Sequence, residues 1–220
     1  MKYKYIFFDW GYTLISKFEN VDDKINKILE KYNLKWDDIF RKWKNYQILN
    51  SLGKVTEKEI YKDLSSILNI TEEDLKKIDM LLLESHILDG ETRETIVKLY
   101  EKGYYLGIIS NNSIRNVEYI LKREDIRKYF KKVVISEEVK ERKPNLKVYI
   151  KAFEEIPKEE YQKIAFVSDE LLEDLLGVKV LGVKTIWYQQ DINNKWKKKE
   201  EVLIEPDYKI RSMKELLDII

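Results

Sequence analysis

Tyr3-Lys4-Tyr5-Ile6-Phe7-Phe8-Asp9-Trp10-Gly11-Tyr12-Thr13-Leu14 is the stretch on which the fold turns. Residues 3–8 are a short, mostly apolar and aromatic run, the pattern of a buried strand, and the run stops at an acid and a glycine. A buried strand that delivers a carboxylate into a loop points to chemistry at Asp9. Outward from it, residues 21–85 change to helical periodicity, with Leu, Ile, Trp and Tyr three or four positions apart and no strand-like run. Four helices are expected there, near 21–32, 36–50, 57–68 and 72–85. Thr56 precedes Glu57 and Glu59, and Thr71 precedes Glu72 to Asp74. Both threonines read as N-caps, with acids favouring the positive end of the helix.

From Glu91 onward the chain alternates: helix to 102, strand 105–110, a helix, strand 132–135, helix 146–154, strand 164–167, helix 171–180 and strand 184–188. Alternation of this kind implies an α/β fold with a doubly wound parallel sheet. The expected organisation is an α/β core of 1–16 plus 89–220 and a small all-helical cap of 17–88, joined by hinges near 16–20 and 86–90. Ligands of such sheets bind beyond the carboxyl ends of the strands, where Asp9, Ser110 and Asp169 all fall. The charged run of residues 193–201, NNKWKKKEE, reads as a solvated loop because acids follow its lysines at once, and it is given no function.

Composition narrows the chemistry. The 220 residues are 44% hydrophobic, enough to fill a core, and Lys+Arg 41 against Asp+Glu 40 leaves a formal net charge of +1. No bulk field favours nucleic acid or an anionic membrane, so a small-molecule substrate recognised locally is expected. With no Cys, disulfides, thiolate metal sites and cysteine nucleophiles are excluded, and a single His disfavours a Ser-His-Asp triad. Carboxylates remain. The opening MKYKYIFFDW lacks the apolar region of a signal peptide and no stretch reaches the ~18 apolar residues of a membrane span, so a cytoplasmic protein is expected. The 37% of charged residues suits a heat-adapted source and equally any long-helix protein.

Phe7-Phe8-Asp9-Trp10-Gly11-Tyr12-Thr13-Leu14 resembles the first motif of the haloacid dehalogenase-like (HAD) superfamily, usually Asp-x-Asp-x-Thr after a buried strand. The others follow in order. Gly107-Ile108-Ile109-Ser110-Asn111-Asn112 is similar to the second motif, Arg142-Lys143-Pro144 to the third, and the acidic run from Phe166 through Asp169 to Asp174 to the fourth. Asp89-Gly90-Glu91-Thr92, Glu101-Lys102-Gly103-Tyr104 and Gly177 through Thr185 extend the resemblance over nearly the whole chain. The family's helical cap lies between its first and second motifs, and residues 53–59 look like a turn often found inside it.

The resemblance implies a Mg2+-dependent phosphatase working through an aspartyl phosphate on Asp9. Splitting hydrolysis into formation and breakdown of that intermediate requires neutralisation of the transferring oxygens, which Lys143 would supply. Ser110 and Thr13 would donate hydroxyl hydrogen bonds, with Asn111 beside them and the amides of Trp10 and Gly11 cradling the phosphate. Asp9, the Gly11 carbonyl and Asp169, with Asp174 as a further or outer ligand, would hold the metal. Arg41 on the cap is a candidate for a substrate anion, whereas His86 reads as a hinge or packing residue.

One position departs from the pattern. Gly11 stands where the family's phosphatases carry the Asp that protonates the leaving oxygen and then activates water, a loss of roughly 10²–10⁴-fold in rate. Two alternatives therefore stay open: a metal-free 2-haloacid dehalogenase using Asp9, with Tyr149 and Arg41 as its next residues, and a binding protein that has lost turnover.

Overall fold

The computed structural model describes residues 2–189 and 205–220. The run 193–201 lies outside the described residues. In chain order, β1 (Tyr5–Phe8) and the short β2 (Lys17–Phe18) precede four helices, α1 (Asp22–Leu29), α2 (Trp36–Asn50), α3 (Glu57–Leu68) and α4 (Glu72–Glu84). The short β3 (His86–Ile87) leads to α5 (Gly90–Glu101), β4 (Tyr105–Ser110), α6 (Ile114–Arg123), β5 (Lys132–Ile135), α7 (Ser136–Val139) and α8 (Leu146–Ala152). Then come β6 (Ile164–Ser168), a π-helical segment Leu171–Leu176, α9 (Gly177–Lys179), β7 (Lys184–Tyr188), β8 (Tyr208–Ile210) and α10 (Leu216–Ile219).

Six strands form one parallel sheet in the order β5-β4-β1-β6-β7-β8, with β1 between β4 and β6. The continuous apolar run of β1 is explained by that position: Ile6, Phe7 and Phe8 are fully buried because both faces of the sheet are covered. Alternate residues serve opposite faces. Ile6, Phe8 and Ile108 join one hydrophobic cluster, while Phe7, Ile109 and Phe166 join the other. Asp9 therefore leaves a strand that cannot shift register without exchanging the side chains that fill its two packed faces.

Gly107 lies opposite Phe7 in the pairing of β1 with β4, and a Cβ there would stand 2.3 Å from the Phe7 ring. Gly107→Ala should destabilise the fold by about 1–3 kcal/mol or more through overpacking, measurable as a lowered midpoint in urea.

Between β2 and β3, which pair antiparallel as a two-stranded linker, α1 to α4 build a helical cap with its own core, including Ile25, Trp36, Trp43, Leu64 and Ile78. The Thr56 hydroxyl accepts from Glu59 N at 3.3 Å while Glu59 Oε2 accepts from Thr56 N at 2.8 Å, a reciprocal cap. The Thr71 hydroxyl likewise accepts from Asp74 N at 3.3 Å.

Several elements differ from the sequence-based expectation. The strands β2, β3 and β8 and the helices α7 and α10 are additions, all of two to four residues. The helix expected over 171–180 is a π-helical turn followed by a short α-helix, because Leu175 N donates to Glu170 O, five residues back, at 3.3 Å. No helix among the described residues is long and apolar enough to cross a membrane.

Candidate active site

The carboxyl ends of β1, β4 and β6 bring three of the sequence motifs together. Asp9 N donates to Val167 O at 2.9 Å, which continues the β1–β6 ladder one residue past the strand and fixes the carboxylate beside the next acid-bearing loop. Asp9 is 7% exposed, so it is buried but reachable. Asp9 Oδ1 accepts from Lys143 Nζ at 2.5 Å. The same ammonium donates to Asp174 Oδ2 at 2.7 Å and to Ile109 O at 3.1 Å, which satisfies all three of its protons.

Burial alone pulls the Lys143 pKa down, but Asp174 and then Asp9 push it up, and the balance is upward. The side chain therefore stays an ammonium at neutral pH. Burial pushes the Asp174 carboxyl upward, Lys143 opposes this, and the like charge of Asp9 adds to it.

Two carboxylates expected to share one role are thus placed differently. Asp174 Oδ2 also accepts from the Ser168 hydroxyl at 2.6 Å, so the carboxylate is taken up by a lysine and a serine. The π-turn, with its extra residue, is the local feature that carries this inward-facing acid. Asp169 Oδ1 instead accepts from Thr13 Oγ1 at 3.0 Å, while Thr13 Oγ1 accepts from Asp169 N at 3.1 Å. Thr13 lies against Asp169 in this reciprocal pair, and Trp187 Nε1 donates to Asp169 O at 3.1 Å.

The Ser110 hydroxyl, buried at the end of β4, makes no hydrogen bond to another described residue. Asn111 holds the main chain of Lys143 from both sides, with Oδ1 accepting from Lys143 N at 2.8 Å and Nδ2 donating to Lys143 O at 3.2 Å. Trp10 packs into the core, so only its main chain faces the loop. At Gly11 an added Cβ would meet nothing within 4 Å and φ is not positive, whereas Tyr12 takes the left-handed value of 57°.

A model of the "Haloacid dehalogenase-like hydrolase" family matches residues 6–188. The chain belongs to this family. Among curated relatives, a glyceraldehyde 3-phosphate phosphatase of Pyrococcus furiosus is 33% identical over 58% of this chain and 52% of its own length. The pyrimidine 5'-nucleotidase PynA of Streptococcus pneumoniae is 24% identical over 100% of this chain and 96% of its own. The chain spans about half the length of the glyceraldehyde 3-phosphate phosphatases it matches, 40% for the one from Pyrococcus abyssi. Among solved structures, the HAD-hydrolase YfnB of Bacillus subtilis, bound to magnesium, superposes with a TM-score of 0.68 at 23% identity, over 100% of this chain and 99% of that one. At that identity the likeness establishes the HAD fold alone.

Next to the site along the chain, at Asn111 and Arg142, a cleft of about 300 Å3 lies between cap and core, lined from the cap by Trp43, Lys44, Gln47 and Ser51, and from the core by Asn111, Asn112, Asn116 and Arg142. Arg41, one turn earlier on α2, is exposed and does not line the cleft. The contact between Arg142 and Ser51 escaped the sequence reading, since it joins residues 91 apart and leaves no periodic signal. His86 sits in the linker strand β3 with its ring 5.0 Å from Phe18, and Nδ1 lies 2.7 Å from Leu82 O.

The donor set fits a hard cation in chemistry. Asp9 and Asp169 end adjacent strands, the Gly11 carbonyl is near in sequence, and every donor is oxygen. Among the described residues no group of three or more His, Cys, Asp or Glu side chains is arranged to hold a metal ion. A cation held here would keep waters or substrate oxygens in its shell, which is the habit of Mg2+.

Proposed function

We propose that the protein is a Mg2+-assisted phosphatase of small phosphorylated metabolites, with Asp9 as nucleophile. The observation that carries this reading is the buried Lys143 ammonium on Asp9 Oδ1 at 2.5 Å, at a strand end shared with Asp169. Lys143 orients one carboxylate oxygen, which leaves Oδ2 to attack phosphorus. The bond from phosphorus to the leaving oxygen breaks as Oδ2 bonds, that oxygen leaves as the anion or takes its proton from solvent water, and water then releases phosphate from the aspartyl phosphate to regenerate Asp9. Lys143 and the Ser110 hydroxyl neutralise charge on the transferring oxygens. Bound Mg2+ would supply Lewis-acid neutralisation of those oxygens, with Asp9, Asp169 and the Gly11 carbonyl as its holders. Asp174 acts through Lys143, and Thr13 through Asp169.

The dehalogenase alternative is weaker on geometry. Of its two further residues, Tyr149 has its hydroxyl engaged on Asp174 O at 2.8 Å, and Arg41 is exposed outside the cleft. Residues 17–88 act as the cap in this reading, and the substrate is a small soluble metabolite in the cytoplasm.

Gly11 sets the test. With no acid at that position, p-nitrophenyl phosphate and acyl phosphates should be hydrolysed far better than glycerol phosphate, triose phosphates or pyrimidine nucleotides, because their leaving groups scarcely need a proton. EDTA should abolish the activity. Gly11→Asp meets no steric bar and should raise turnover of the alkyl esters by up to about 10²-fold. Chloride release from a 2-haloacid in EDTA, without phosphate release from any ester, would overturn the phosphatase reading.

A further inference from the structure

We infer that Arg142 is a second anion-binding residue, and that the physiological substrate carries a carboxylate or a second phosphate on its leaving group. This rests on the phosphatase reading and narrows its substrate class.

Arg142 stands apart from the other arginines. Arg93, Arg115, Arg123 and Arg127 each pair with a carboxylate, while Arg41 and Arg211 are exposed to water. Arg142 is half-buried, lines the cleft, and has no ion pair among the described residues; its Nη1 donates to the Ser51 hydroxyl. A guanidinium offers five donors in a planar fork that matches carboxylate and phosphate. Burial pulls its pKa down, against Glu173 and Asp174, the mark of a charge whose lost hydration is poorly compensated.

The cleft around it is cationic in balance. Its charged lining residues are Lys44, Asp79 and Arg142. Asp79 is already neutralised, because Oδ2 accepts from Arg115 Nη1 at 2.5 Å and from the Tyr61 hydroxyl at 2.6 Å. His86 adds no charge at neutral pH, since burial holds its pKa below the usual value. Asn112, Asn116 and Gln47 supply further amide groups.

A purely structural strut between cap and core is the competing role. That attachment has another member at the same residue, however: the Ser136 hydroxyl donates to Ser51 O at 2.6 Å. Adjacent Cα atoms are about 3.8 Å apart, so Arg142 and Lys143 present two cations from one peptide, one to the cleft and one to Asp9. Two anions of one small molecule suit that placement.

The experiment is steady-state hydrolysis with Mg2+ by the full chain, using phosphoglycolate for the carboxylate, propanediol bisphosphate for the second phosphate, glycerol phosphate as the neutral ester and p-nitrophenyl phosphate as the activity control. The wild type should prefer at least one doubly anionic ester to glycerol phosphate by about tenfold or more in kcat/KM, and which one identifies the anion. Arg142→Gln should raise KM for that ester about tenfold while leaving p-nitrophenyl phosphate within about twofold, and Arg142→Lys should recover part of the loss. Equal kcat/KM for neutral and doubly anionic esters, with p-nitrophenyl phosphate still hydrolysed, would overturn the inference alone. A uniform rise in KM for every ester in Arg142→Gln would also overturn it, in favour of the strut. No hydrolysis of any ester, p-nitrophenyl phosphate included, would remove the phosphatase reading and the inference with it.

Discussion

Lys143→Met should destabilise the protein by about 3–5 kcal/mol and abolish hydrolysis. Three buried carboxylates, Asp9, Asp169 and Asp174, lie at this end of the sheet, and Lys143 is the buried cation that touches two of them. Methionine fills much of the volume of the lysine stem but leaves Asp9 and Asp174 desolvated and without their cation. Breaking a buried pair from one side costs about this much. The Ile109 carbonyl and the inward arm of the π-turn lose a donor as well. Urea denaturation of the two proteins side by side measures the loss, and a stability within about 1 kcal/mol of the wild type would show that the ammonium does not hold the site together.

Asp9→Asn should behave oppositely in stability while losing at least as much activity. The amide oxygen still accepts from Lys143, and one negative charge leaves a crowded group, so the variant should melt at or above the wild type in EDTA. Turnover should fall by about 10⁴-fold or more, because a carboxamide is a poor nucleophile for phosphorus. Added Mg2+ should raise the wild-type melting temperature through binding to the native state alone, and Asp9→Asn should shrink that shift. Beryllofluoride with Mg2+ should stabilise the wild type further and the variant hardly at all. An unaltered rate in a folded Asp9→Asn protein would mean that another group carries the chemistry.

The contrast between these variants reflects what the sequence made legible. The strand before Asp9 was readable because a parallel strand covered on both faces must be apolar along its length, and Ile6, Phe7 and Phe8 meet that demand. The cap helices were readable from amphipathic spacing and from Thr56 and Thr71, whose capping bonds are present. Strand β8 was not, since three residues after Pro206-Asp207 carry no periodicity; Asp207 Oδ2 accepts from the Thr185 hydroxyl at 2.7 Å and fastens it to β7.

The roles of the site residues were harder to read than their positions. Asp169 and Asp174 look alike in sequence, yet Asp169 meets a threonine and Asp174 a lysine and a serine. What separates them is a π-turn, and six residues of i→i+5 bonding are too few to leave a hydrophobic period of their own. Asn111 reads as a substrate ligand by order alone, and in the fold its amide also holds the main chain of Lys143 from both sides. Gly11 has no positive φ, and the left-handed residue of that loop is Tyr12. Arg142 is legible as the neighbour of Lys143 in the third motif, but its contact with Ser51 comes from the cap and has no local signature.

The most direct measurement is acid-quenched mixing of the protein with Mg2+ and labelled acetyl phosphate, followed by mapping of the label. A missing acid/base at Gly11 slows attack of water on the intermediate, so the aspartyl phosphate should accumulate rather than pass unseen. The expected result is label on Asp9, dependent on Mg2+ and absent from Asp9→Asn. Release of phosphate at an equal or greater rate with no label on Asp9, or label on a different residue, would contradict nucleophilic catalysis by this carboxylate.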